Sequence, residues 1–333
     1  MITGDISQRI DVLNGIKGWF IFVIVIYHTF NSTGLLADIL SPIKQYGGYF
    51  GNSLFFMMSG FLTGYSFSRK KVSERSFLSF LQKKLLKLWP FYAICNLWQL
   101  GISVVRDGAA FHIKDLLLVL LMQTGGALTD NYPYVVPGWF LCTLMVCYVV
   151  NYFVRYICRD DLNKYIWCFY VLFVWGLFLD VNDLGIPFCY AHNGVGFSNF
   201  FLGSILFEYY CDRNNRKPLL VLLIGMTCFL FSPFRSTPGI TRLIPTIFVS
   251  PALIILSLEH YQISRFFRCR TSQWLGKISM YVYLLHTVNP LPSIPSRLPH
   301  YVIGYIFYLI VLIILAEVSS RLMPRLTKLC IST

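Results

Sequence analysis

The sequence predicts an all-α integral membrane protein with about ten transmembrane helices. Hydrophobic residues make up 56% of the 333 residues and charged residues only 13%, about half the charged share of a typical soluble domain. Apolar runs long enough to cross a bilayer recur along the whole chain, and most cations lie in the short stretches between them. The predicted spans lie near residues 16–33, 50–67, 84–104, 138–157, 164–181, 196–211, 218–233, 242–258, 274–290 and 301–319.

The distribution of cations predicts how these spans are oriented. A further apolar run at 116–122 is too short to cross, and if it does not cross, 22 of the 28 lysines and arginines fall on one face. Because positive charge marks the cytoplasmic face, both termini are predicted to be cytoplasmic. Residues 105–137 would then form an outer re-entrant or interfacial segment. No soluble domain is visible, so residues 1–333 are predicted to be one transmembrane domain.

The charge and the cysteines argue against several classes of protein. The formal net charge is +13, but the cations lie in loops beside membrane lipid rather than on one continuous face, so we expect no nucleic-acid partner. The ten cysteines are scattered through apolar runs without a CxxC pair. They therefore indicate neither a disulfide framework nor a metal site.

The first apolar run carries a lysine and a histidine on one helix face. Lys17 and His28 are eleven positions apart, a spacing that returns to nearly the same face about 16 Å further along the axis. The predicted orientation puts Lys17 at the cytoplasmic mouth and His28 at or beyond the midplane. An ionisable residue inside a span indicates function by default. A histidine packed against another helix and a lysine anchored at the interface remain the alternatives.

Two further lysines lie at the start of the third run. Lys84 and Lys87 are three positions apart, so they share a helix face at the predicted cytoplasmic entrance. Paired ammonium groups suit a polyanionic ligand such as a nucleotide or a coenzyme A phosphate. The alternative is that these lysines only set the topology and contact anionic lipid.

Five sequence blocks, taken in order, resemble the acyltransferase 3 family of integral-membrane O-acyltransferases. The blocks read DVLNGIKG with His28 following, LFFMMSGFL, KKLLKLWPFY, GWFL and LGKISMYVYLLH, and they cover residues 9 to about 287. The resemblance implies about ten helices in a bacterial-type inner (plasma) membrane and acetyl-CoA taken from the cytoplasm. It also implies an acceptor hydroxyl on a cell-envelope or exported polysaccharide or a lipid-linked glycan. His28 falls on the family's helix-one histidine.

The chain departs from the family pattern at four positions. Lys17, Lys84 and Lys87 stand where the family usually has arginine, which keeps the positive charge but removes bidentate phosphate binding. After Trp139, where many members carry a glutamate, this chain has none. The missing glutamate points to a branch that resembles the shorter polysaccharide acetyltransferases, which lack an attached soluble domain.

The resulting hypothesis is an acetyl-CoA-dependent O-acetyltransferase in which neutral His28 is the general base. It would take the proton from the acceptor hydroxyl as that oxygen attacks the thioester. Lys17, Lys84 and Lys87 would hold the phosphates of acetyl-CoA and align its thioester. The sequence leaves open whether a transient acetyl-histidine forms, whether the acyl group is longer than acetyl, and which oligomer is present.

Three other side chains are candidate contacts for the acceptor or the oxyanion: Tyr27, Ser59 and His286. Ser59 stands next to Gly60, so close helix packing is its default explanation, and His286 is either a substrate contact or a packed residue. A transporter or flippase for a lipid-linked glycan is the alternative function, although no internal repeat supports it. A catalytically dead membrane scaffold is a third hypothesis, against which the retained His28 argues.

Overall fold

The computed structural model describes residues 3–31, 33, 35–106, 108–123, 125, 128–129, 134–211 and 245–332. Within these ranges the chain is helical and has no strand. A short π-helical segment, Pro245–Val249, leads directly into α8. The α-helices are α1 Thr3–Thr29, α2 Leu35–Arg69, α3 Phe77–Val105, α4 Ile113–Leu120, α5 Gly138–Ile157, α6 Leu162–Val181, α7 Ala191–Cys211, α8 Ser250–Glu259, α9 Tyr261–Arg268, α10 Arg270–Leu285 and α11 Tyr301–Ser332.

Five of the described helices are long and apolar enough to cross a membrane. Helices α8 and α9 meet at a 91° bend and would count as a sixth crossing if they form one broken span. The all-helical membrane class is therefore confirmed, whereas the ten spans and the cytoplasmic termini stay predictions. The predicted run at 218–233 lies outside the described residues. The five candidate spans are Ile10–Thr29, Phe77–Val105, Gly138–Ile157, Leu162–Val181 and Tyr301–Thr327.

Helices α2 and α7 have the length of a membrane span but lack its apolar character. They pack together so closely that a Cβ atom at Gly60 would overlap the carbonyl of Phe200. Buried polar side chains, including those of Ser53 and Asn199, lie along the two helices. Because α7 and the central part of α2 are buried against other helices, small and polar residues are tolerated there. Hydropathy alone therefore does not identify these two helices as part of the buried helix bundle.

Helix α1 contacts α10 backbone to backbone through two glycines. A Cβ atom at Gly18 would lie 2.5 Å from the amide nitrogen of Gly276, and one at Gly276 would overlap the Asn14 carbonyl oxygen. The Asn14 side chain donates a hydrogen bond to Gln273 Oε1 at 3.2 Å. Helix α1 begins at Thr3, so the predicted start near residue 16 is wrong, and Lys17 lies inside the helix rather than at its beginning.

The segment between α3 and α5 folds back along α3. Trp89 Nε1 donates to the Leu120 carbonyl at 2.9 Å, and Asn96 Oδ1 accepts from the amide of Val135 at 3.2 Å. Trp89 lies 16 residues before the end of α3, which corresponds to about 24 Å along the helix. Helix α4 therefore returns beside α3, and the outer, re-entrant or interfacial position of residues 105–137 stays a prediction.

Candidate active site

A cavity of about 640 Å³ opens between α1, α3 and α10 and carries four lysines. Lys17 and Lys84 each lie seven residues beyond the first residue of their spans, Ile10 and Phe77, which is about 10 Å along each helix. Among the described residues that line the cavity there is no carboxylate. The four ammonium groups belong to Lys17, Lys84, Lys87 and Lys277.

The structure thus brings together the three lysines that the sequence singles out. Lys84 and Lys87 are both close enough to Lys17 to interact with it electrostatically. The Lys84 ammonium lies 4.1 Å from the ring centroid of Tyr148, a cation–π contact that fixes its side chain. Lys277 completes the set because Gly18 and Gly276 allow α10 to lie against α1. Like charges gathered around a concave site attract an anionic ligand.

The inner part of the cavity is apolar. Phe55, Phe91, Phe140 and Leu141 line it, together with Tyr283, and the rings of Phe140 and Tyr283 are 5.3 Å apart between centroids. The cavity therefore has a cationic part and a hydrophobic part. Such a division suits a ligand with a charged head and an uncharged arm.

Two histidines meet near the C-terminal end of α1. The rings of His28 and His286 are 5.2 Å apart between centroids. His28 lies one residue before the end of α1 and is exposed, whereas His286 is fully buried. His286 Nδ1 lies 2.6 Å from the Tyr283 carbonyl, and because a carbonyl only accepts, Nδ1 carries the proton. The Nε2 atom of His286 is buried and has no hydrogen-bond partner among the described residues.

The last turn of α1 is held in place from α2. Lys44 Nζ donates to the Tyr27 carbonyl at 3.0 Å and to Asn31 Oδ1 at 3.1 Å, so a cation satisfies carbonyl groups at the helix C-terminus. The Tyr27 ring is 4.8 Å from the His28 ring. These contacts fix the direction in which His28 points.

Tyr283 separates the lysine cavity from the histidine pair. Its ring lines the cavity and lies 5.8 Å from the ring of His286, while its hydroxyl donates to Asn52 Oδ1 at 3.4 Å. Neither histidine lines the cavity. Tyr283 is 4% exposed, so it forms a packed wall between the two parts of the site.

The other candidate residues divide between these two places. Tyr27 and His286 lie beside His28, whereas Ser59 lines the lysine cavity and donates its hydroxyl to the Phe55 carbonyl at 2.8 Å. Ser59 therefore lies apart from the histidines. Sequence reasoning did not select Lys277 or Tyr283 as site residues. Both stand inside the LGKISMYVYLLH block, and their positions depend on how α10 packs.

The helices and the site define an integral membrane protein whose first helix borders a cation-lined cavity at its middle and carries one histidine of a pair near its C-terminal end. The family model for the acyltransferase domain of the acyltransferase 3 family matches residues 10–321, which is nearly the whole chain. The chain therefore belongs to the acyltransferase 3 family, whose members are membrane acyltransferases. No match is found among curated proteins or among solved structures.

Proposed function

We propose that the protein transfers an acetyl group from cytoplasmic acetyl-CoA to a hydroxyl of a cell-envelope or exported polysaccharide or a lipid-linked glycan, in a bacterial-type inner membrane. The observation that carries this proposal is the lysine cavity, which borders the middle of α1 at Asn14 and Lys17, while His28 lies one residue before the end of the same helix. Family membership supplies the reaction class. The site supplies a place for an anionic donor and a base for the acceptor.

The cavity fits the shape and charge of the donor. Coenzyme A has phosphates at one end and a long uncharged thiol arm, and the cavity has ammonium groups in one part and apolar rings in the other. Lys17, Lys84 and Lys87 would hold the phosphates by charge-assisted hydrogen bonds. The arm would extend to Tyr283, and the Tyr283 ring would turn aside when the acceptor binds, so that the thioester meets the hydroxyl held by His28. The bound donor supplies an activated thioester carbonyl.

His28 is the base in this proposal. It takes the proton of the acceptor hydroxyl as that oxygen bonds to the thioester carbonyl carbon. The carbon–sulfur bond then breaks, and the departing thiolate recovers the proton from the imidazolium. General-base assistance of this kind contributes about 10² to 10⁴ in rate. The exposure of His28, away from the lysine cavity, leaves room for an acceptor on that side, with Tyr27 as a neighbouring contact.

His286 is better suited to orient His28 than to bind the oxyanion. An oxyanion contact must donate a hydrogen bond, but the Nδ1 proton of His286 is already given to the Tyr283 carbonyl. The remaining Nε2 atom is an acceptor beside the His28 ring. In that position it can hold one tautomer of His28 by accepting its N–H.

Acyl transfer by the purified protein tests this proposal. Radiolabelled acetyl-CoA is incubated with detergent-solubilised protein and a mixture of envelope glycans, and label is sought on the glycans. Label on a glycan supports the proposal, whereas protein that neither binds nor consumes acetyl-CoA in that mixture contradicts it. In the second case, glycan flux into proteoliposomes would test the transporter alternative.

A further inference from the structure

A second cavity of about 570 Å³ adjoins the first on the side of the loop between α2 and α3. The two cavities share Lys84 and Lys87. The second cavity adds three cations of its own, and Glu74 is the one carboxylate among its described lining residues. The three added cations are Lys70, Arg75 and Lys83.

The lysines of this second cavity are not neutralised by ion pairs. Within the described parts of the chain, none of Lys70, Lys83, Lys84 and Lys87 makes a salt bridge. The cavity also contains Ser76, which precedes α3 and makes no capping hydrogen bond with its side chain. The amide groups of the first turn of a helix favour an anion. Excess positive charge, a concave surface and a helix N-terminus therefore coincide.

Arg75 forms a fixed part of this cavity. Its Nη1 donates to Ser66 Oγ at 2.9 Å, and its carbonyl accepts from the Tyr152 hydroxyl at 2.6 Å. The guanidinium carbon lies 5.0 Å from the ring centroid of Phe67. Partial burial lowers the pKa of Arg75 from its usual value, while Glu74 and Asp160 oppose that shift. The cavity is therefore preformed around an ordered cation rather than assembled from mobile side chains.

We propose that the second cavity binds a phosphate monoester of the acyl donor, separate from the diphosphate that Lys84 and Lys87 would hold. This inference rests on the proposed function. Coenzyme A carries such a group, the 3′-phosphate of its ribose, joined to the diphosphate through an uncharged sugar. Two adjoining cavities that share two lysines match a ligand with two anionic groups. A phosphate monoester near neutral pH carries close to two negative charges, which suits a cavity lined by five cations and one carboxylate.

The test compares coenzyme A with dephospho-coenzyme A, which lacks only the 3′-phosphate. Dissociation constants are measured for the full-length protein in nanodiscs of phosphatidylcholine. We expect the unaltered protein to bind coenzyme A about tenfold more tightly or better, because hydrogen bonds between charged groups are the strong ones. Lys83→Gln should remove most of this preference and leave the affinity for dephospho-coenzyme A unchanged. Lys70→Gln, at the opposite side of the loop, should act in the same direction.

Lys164→Gln is the matched control, because Lys164 lines neither cavity and is paired with Asp161 at 3.2 Å. It should leave both affinities unchanged. Equal binding of the two ligands by the unaltered protein, or equal weakening of both by Lys83→Gln, would overturn the inference and leave the donor assignment standing. Failure of both ligands to bind would overturn the donor assignment as well.

A lipid headgroup carries the same phosphate chemistry, and a second lipid composition distinguishes the two sources. The measurements are repeated with phosphatidylglycerol added to the nanodiscs. The proposal expects the preference for coenzyme A to persist. If phosphatidylglycerol abolishes that preference in the unaltered protein and has no effect on Lys83→Gln, the cavity holds lipid and the proposal is wrong.

Discussion

The imidazole ring of His28 lies 5.2 Å from that of His286, centroid to centroid, near the C-terminal end of α1 and outside the lysine cavity. His286 is held from two sides: its Nδ1 donates to the Tyr283 carbonyl, and its own carbonyl accepts from the Tyr308 hydroxyl at 2.9 Å. A fixed, buried imidazole thus stands beside an exposed one. We propose that the two rings have different roles, with His28 as the base and His286 as its positioning residue.

A double-mutant cycle measures whether the two histidines act together. His286→Ala should lower acyl transfer by up to about 10²-fold, because a misplaced base loses about that much, while the affinity for acetyl-CoA stays the same. In a His28→Ala background the same change should have little further effect. His286→Gln should restore part of the activity, because its amide can donate to Tyr283 and still accept. Equal losses in both backgrounds would indicate a purely structural His286.

Loss of one charge from the lysine cavity should weaken donor binding. We expect Lys17→Gln to raise the dissociation constant for acetyl-CoA about tenfold or more, since Lys17 would contact phosphate. Lys17→Arg should bind at least as tightly as the unaltered protein, because guanidinium binds phosphate in a bidentate manner. Both constants can be measured by titration with labelled acetyl-CoA. Unchanged affinity in Lys17→Gln would contradict the assignment of this cavity to the donor.

Removal of the Tyr283 wall should join the two parts of the site. In Tyr283→Ala, water that reaches the histidines should also reach the thioester, so hydrolysis of acetyl-CoA without any acceptor should rise. Tyr283→Phe keeps the ring and loses only the bond to Asn52, so it should hydrolyse no faster than the unaltered protein. Because loss of a large buried side chain costs about 3–5 kcal/mol, thermal unfolding must be measured alongside. An unchanged hydrolysis rate in folded Tyr283→Ala would contradict the role of a wall.

The contact between α1 and α10 should tolerate no added side chain. Gly276→Val would force apart the two helices that carry Lys17 and Lys277, and overpacking of this kind costs about 1–3 kcal/mol or more. We expect a lower melting temperature and weaker binding of acetyl-CoA. Gly101→Ala is the matched control, because nothing lies within 4 Å of a Cβ atom placed there, and it should be neutral or slightly stabilising. Equal stability of the two variants would contradict the close contact.

Local sequence patterns predict the cationic part of the site well. Lys84 and Lys87 share a helix face because they are three positions apart. Lys17, like these two lysines, lies where a polar stretch of sequence gives way to an apolar run. The predicted topology puts both of these places on the same side of the membrane, so the three lysines are expected to lie close together. The apolar character of α1, α3, α5, α6 and α11 is equally visible in the sequence. The number of crossings stays a prediction, because α2 and α7, which contain the predicted spans 50–67 and 196–211, are not among the helices apolar enough to cross by their composition.

The parts that sequence reasoning missed depend on contacts between distant segments. Lys277 reaches the cavity only because Gly18 and Gly276 meet, and these residues are far apart in the chain. The grouping of Ser59 with His286 rested on residue type alone. The packing of α2 instead turns Ser59 toward the lysine cavity. No periodicity in a single helix contains this information.

The most direct test of the proposed chemistry separates donor binding from acyl transfer in His28→Ala. Transfer from radiolabelled acetyl-CoA to the acceptor glycan is measured in a single turnover, together with the dissociation constant for acetyl-CoA. The account predicts a loss of about 10² to 10⁴ in the transfer rate with donor affinity unchanged, because His28 does not line the lysine cavity. A His28→Ala protein that transfers at the unaltered rate would contradict it.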